Sequence, residues 1–148
     1  MKYKILDDYT VRFNHPQTKN TILIRILESR YQGGNIPYNI GNLTEYSHVL
    51  DLYFDDISEY NEHALKYFTF FDEQMAATIL DLVKQTKPQE IVVHCSKGCS
   101  RSPAVMLGIA DYLDRDDITH EIKNQNTYFH PNQWVLSIFE QYKKRLVK

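Results

Sequence analysis

An α/β fold with a mostly parallel central sheet flanked by helices is predicted by two observations. Short β-branched or apolar runs alternate along the chain with segments whose apolar residues recur at helical spacing, the pattern of strands joined by crossover helices. In addition, the run Ile91-Val92-Val93 leads within a few residues into Pro103-Ala104-Val105-Met106-Leu107, a buried strand followed by a helix with proline in its first turn.

Taken in order, the first strand-like run is Tyr9 to Phe13, and an Asn-His-Pro turn separates it from Thr21 to Leu27. Ile22-Leu23-Ile24-Arg25-Ile26-Leu27 is apolar enough to lie inside the sheet. A polar loop runs from Gly33 to Asn42 and suits an insertion or a substrate-facing edge. His48 to Phe54 reads as a further strand ending in Asp55-Asp56. Between Asp72 and Thr86, residues Met75, Ala76, Ile79, Leu80, Leu82 and Val83 mark one face of a helix, with Asp72 as its cap. Helices are expected again at Ser102 to Leu113, at about Thr119 to Gln125 and at Asn132 to Leu146, the last capped by Asn132. Trp134 is assigned to the core.

The length of 148 residues suits one domain with a full hydrophobic core. A net charge of −2 disfavours nucleic acid as the partner. The basic run from Lys143 to Lys148 suits the negative end of a helix. No apolar stretch has the length of a membrane span and no signal-peptide core follows Met1, so a membrane is not expected and the cytoplasm is the expected location. The two cysteines lie too close together for a fold-spanning disulfide, and no spaced metal ligands are visible, so neither metal nor cofactor is expected.

Chemistry concentrates in His94-Cys95-Ser96-Lys97-Gly98-Cys99-Ser100-Arg101-Ser102, at the junction of strand and helix. A helix amino terminus offers unpaired N–H groups and roughly half a positive charge, and a tight loop leading into it aims further amides at one anion. Cys95 at the loop's entrance is placed as a nucleophile in that field. Arg101 adds a planar, always charged fork for two phosphate oxygens. Gly98 lets the backbone turn without a Cβ. Ligands bind such sheets beyond the carboxyl ends of the strands, where Asp55-Asp56 also emerges.

His94-Cys95, five residues, then Arg101-Ser102 resembles the signature of the cysteine-dependent protein tyrosine phosphatases, and the small dual-specificity branch fits best. Asp55-Asp56-Ile57-Ser58-Glu59-Tyr60-Asn61 looks like that family's general-acid loop, and Pro131-Asn132 with the following helix looks like its closing segment. The resemblance covers the chain after residue 45. It implies a phosphatase-like three-layer single domain over residues 1–148. It implies catalytic roles for Cys95 as nucleophile, Arg101 as phosphate clamp, Asp56 as general acid and Ser102 as hydrogen-bond partner of the sulfur. Phosphate would be held by Ser96, Lys97, Gly98, Cys99, Ser100 and Arg101. Asp55 stays open as the acid, because the spacing from Asp56 to Cys95 is longer than the family shows, as if Asn61 to Phe70 were inserted. His94 is expected to fix the loop as a buried ring. Cys99 is either a small packed hydrophobe or a thiol able to trap oxidised Cys95.

The function expected is hydrolysis of phosphotyrosine in a phosphoprotein, with phosphoserine and phosphothreonine open. The alternatives on the same loop type are an RNA 5′-triphosphatase and a phosphoinositide phosphatase. Sulfur transfer of the rhodanese type and non-catalytic phosphopeptide binding are disfavoured by Arg101 and Ser102, and by Cys95 with Arg101, respectively.

Overall fold

The computed structural model describes residues 1–34, 36 and 40–146. Residues 35 and 37–39 of the expected polar loop, and 147–148 of the basic run, lie outside the described residues. Strands β1 (Lys2–Leu6), β2 (Thr21–Leu27), β3 (His48–Tyr53) and β4 (Glu90–His94) form a sheet of order β1-β4-β2-β3 in which every pairing is parallel. The helices are α1 (Glu62–Tyr67), α2 (Glu73–Thr86), α3 (Arg101–Tyr112), α4 (Asp116–Lys123) and α5 (Gln133–Leu146).

Side-chain alternation divides the sheet into two faces. Ile22, Ile24 and Ile26 of β2, with Ile91 and Val93 of β4, face the large core made with α2, α3, α4 and α5. Leu23 and Val92 face the other way and meet Val11, Ile40 and Tyr46. Both faces are covered, but unequally, because turns and loops supply the second cover where crossover helices were expected. α3 lies centrally, packed on β4 and β1 and flanked by α2, α4 and α5. Its Gly108 lets the ring of Phe139 on α5 come within 2.5 Å of where a Cβ would stand.

The strand expected at Tyr9 to Phe13 is not one. Thr10–Phe13 is a 3-10 turn, and the strand precedes it at Lys2–Leu6. Asp7 Oδ1 accepts the Thr10 amide at 2.6 Å, and this local bond bends the chain out of the sheet and turns Val11 into the second core. β1 is an edge strand, and its alternation of lysine with apolar residues hid it from a search for apolar runs.

The capping assignments agree with the structure. Asp72 accepts the Met75 amide at 2.9 Å at the start of α2, and Asn132 accepts the Val135 amide at 3.0 Å at the start of α5. Trp134 is half-buried and donates to the Phe71 carbonyl at 2.8 Å. The segment that looked inserted holds α1, with Asn61 accepting from His63 and Ala64.

Candidate active site

The loop from Cys95 to Ser100 leaves the end of β4 and enters α3, and two neighbouring segments fix its course. From the end of β1, the Leu6 carbonyl accepts the Cys95 amide at 3.3 Å, and from the turn after it the Asp8 amide donates to the Ser96 carbonyl at 3.2 Å. From the segment before α5, the amides of His130 and Asn132 donate to the carbonyls of Cys99 and Ser100 at 2.7 and 3.1 Å. Gly98 turns beneath the loop with φ +71°, and a Cβ there would stand 2.8 Å from the Leu6 carbonyl carbon and 2.9 Å from the Asp7 nitrogen. Glycine is therefore required twice, by its left-handed backbone and by the close approach of β1.

This folding gathers the chemistry around the sulfur. Cys95 is buried, with Sγ 3.1 Å from the Ser102 hydroxyl and accepting the Gly98 amide at 3.2 Å. Ser100 precedes α3 but makes no side-chain cap; its hydroxyl donates to Asp56 Oδ1 at 2.8 Å instead. That arrangement leaves the first amides of α3 without a side-chain cap from Ser100, the condition for anion binding at a helix start.

Arg101 is almost fully buried. Its Nη1 donates to the Phe54 carbonyl at 2.9 Å and its Nη2 lies 3.6 Å from Glu28 Oε1. The arginine is thus tied to the end of β3, directly before Asp55-Asp56. Those two carboxylates diverge. Asp55 is buried and accepts from the Ser29 amide, the Ser29 hydroxyl and the Thr69 amide, which commits it to holding two loops together. Asp56 is exposed, and its Oδ1 accepts from Ser100 and, at 2.7 Å, from the Asn132 side-chain amide.

A cleft of about 180 Å³ opens over Cys95, walled by Glu28, Asp56, Lys97, Ser100 and Arg101. Ser96 and Cys99 also line it, Cys99 half-buried and Lys97 exposed at the rim. Two larger hollows, of about 460 and 320 Å³, lie around the starts of the strands, near Lys84 and Arg115 and near Lys2 and Glu90, and neither contains a cysteine. Among the described residues no group of three or more His, Cys, Asp or Glu is arranged to hold a metal ion, and no helix is long and apolar enough to cross a membrane.

His94 is fully buried behind the loop. Burial first, and then the Arg25 guanidinium on the neighbouring strand, pull its imidazole down to about 3, so the ring is neutral at physiological pH. Sequence reasoning missed Glu28 altogether and read Asn132 as part of a closing segment and as its helix cap, without its bond to Asp56. Both act across tertiary contacts for which the local sequence carries no signal.

The fold is that of solved cysteine-dependent tyrosine and dual-specificity phosphatases. Similar solved structures include Tk-PTP in its active form, with 13% identity, 97% of this chain and 90% of that chain covered, and a TM-score of 0.60. PTPMT1 in complex with PI(5)P is similar at 11% identity, 99% and 92% coverage and a TM-score of 0.60. The human tyrosine phosphatase-like serine/threonine/tyrosine-interacting protein is similar at 18% identity, 88% and 80% coverage and a TM-score of 0.55. No family model matches the sequence, and no curated protein matches it by sequence.

Proposed function

We propose that this chain is a cysteine-dependent phosphoric monoester hydrolase, one catalytic domain over residues 1–148 that removes phosphate from phosphotyrosine in proteins. Phosphoserine and phosphothreonine are further substrates where the cleft admits them. The observation that carries the reading is that Cys95 and Arg101, from the loop between β4 and α3, line one small cleft with Asp56, which lies about 40 positions earlier in the chain.

In this reading Arg101 and the loop amides hold the phosphate, and Cys95 Sγ attacks phosphorus. The sulfur–phosphorus bond forms as the ester oxygen–phosphorus bond breaks, and Asp56 passes a proton to the departing oxygen. Asp56, now a carboxylate, then takes a proton from the water that attacks the phosphocysteine. Ser102 donates to the sulfur as it leaves. None of these steps calls for a cofactor. The two free cysteines suit a reducing compartment such as the cytoplasm.

Phosphoinositides and 5′-triphosphorylated RNA are the alternative substrates, and the charge around the cleft disfavours them. Arg101 and Lys97 face Glu28 and Asp56, so no surplus of cations is left for a second phosphate. Cys95→Ser is expected to abolish turnover of an aryl phosphate while phosphate binding and the fold persist. Wild-type activity is expected to survive chelators, and phosphotyrosine peptides to be turned over faster than phosphothreonine peptides, phosphoinositides or triphosphorylated RNA. Activity retained by the serine variant would refute the mechanism, and preference for phosphoinositide or RNA would replace the substrate.

A further inference from the structure

Glu28 stands inside the cleft, where an enzyme that binds a dianion has no evident use for a carboxylate. Its place is fixed from both sides. The Leu27 carbonyl accepts the Phe54 amide at 3.0 Å, and Ser29 is bound through its amide and hydroxyl to Asp55. The side chain is therefore delivered to the cleft by the same contacts that deliver Asp56 to its other wall. Glu28 Oε1 is 3.6 Å from Arg101 Nη2, while Nη1 of the same guanidinium is occupied by the Phe54 carbonyl. That separation is an ion pair, but it is longer than the roughly 2.7–2.9 Å of a charge-assisted hydrogen bond, so Nη2 is held loosely.

The charged groups lining the cleft are Arg101 and Lys97, set against Glu28 and Asp56.

We propose that Glu28 is an internal competitor for the phosphate, pairing with Arg101 in the empty cleft and yielding it when substrate enters. This rests on the phosphatase reading and deepens it. A phosphoprotein brings contacts beyond its phosphate and displaces Glu28; inorganic phosphate brings none, so the ion pair re-forms and the product is released. Glu28 thereby weakens binding of every phosphate ligand, and only a substrate with further contacts makes up the loss.

The test is binding of inorganic phosphate, measured by calorimetry at pH 7 and as competitive inhibition of aryl phosphate hydrolysis. Glu28→Gln is expected to bind phosphate about tenfold more tightly than wild type, with KM for the aryl phosphate falling in parallel. Glu28→Asp, whose shorter side chain withdraws from Nη2, is expected to fall between the two and covers the case that the glutamine variant misfolds. A gain of affinity is not what structural damage produces. Unchanged or weaker phosphate binding in variants with wild-type melting temperature would overturn the proposal and make Glu28 a positioning residue for Arg101. If wild type neither hydrolyses aryl phosphate nor binds phosphate, the phosphatase reading itself has failed, and Glu28 with it.

Discussion

The side-chain amide of Asn132 donates to Asp56 Oδ1 at 2.7 Å and to the Ile57 carbonyl at 3.2 Å, while its oxygen caps α5 through the Val135 amide. One buried residue thus joins the start of the last helix to the aspartate proposed as general acid. Asn132→Ala is expected to lose the cap, costing about 0.5–2 kcal/mol of stability, and also to loosen Asp56. General acid catalysis is worth about 10² to 10⁴ in rate, so partial loss is expected to slow esters of poor leaving groups about tenfold and to spare activated aryl esters. Equal slowing of both ester types would confine Asn132 to the helix cap.

Asp55 and Asp56 are expected to fail differently. Asp56→Ala removes a carboxylate that is exposed, so thermal stability should hold while turnover of alkyl and unactivated aryl phosphates drops by about 10² to 10⁴. Asp55→Ala leaves the Ser29 and Thr69 amides without their acceptor, and unpaired buried groups cost about 1–3 kcal/mol each. Its melting temperature should fall and its activity should be lost without regard to leaving group. The opposite pattern would exchange the two roles.

A third expectation concerns pH. With its native imidazole pulled down to about 3 against an unfolded value of 6.5, His94 takes up a proton on unfolding throughout that interval. Its contribution is fully present above pH 6.5 and is lost as pH falls toward 3, with a slope of about 1.4 kcal/mol per pH unit. Urea unfolding at pH 7, 6 and 5 should show this decline. A His94→Asn variant, less stable at pH 7, should show a flatter profile, and an unchanged slope would mean that His94 is not the group responsible.

Gly98→Ala is expected to disable the site with little harm to the helical core. The left-handed backbone and the contact with Leu6 and Asp7 together cost on the order of 1–3 kcal/mol, discharged by moving either the loop or β1. Phosphate binding measured by calorimetry should be lost, and wild-type affinity in this variant would show that the loop tolerates the shift.

The strand-loop-helix unit from Ile91 to Leu107 was legible because every signal in it is local: apolar run, glycine turn, proline in the first turn, cysteine and arginine at fixed spacing. The caps at Asp72 and Asn132 were legible for the same reason. Tyr9 to Phe13 misled, since its β-favouring residues are overruled by one bond from Asp7 to the Thr10 amide. The separation of Asp55 from Asp56 could not be read, because it depends on Ser29, Thr69 and Asn132, residues far away in sequence. Glu28 reaches Arg101 by the same kind of distant contact.

The seating of Gly98 on β1 makes the loop that holds Cys95 only as durable as the sheet's margin. β1 has one neighbour, β4, and edge strands are where proteins open first under thermal agitation. Peeling it away would withdraw the Leu6 carbonyl from the Cys95 amide and the floor from under Gly98 while the packing of α2, α3 and α5 stayed whole. Inactivation on warming should therefore run several degrees ahead of the loss of helix, and amide exchange in β1 should keep pace with activity and not with the melt.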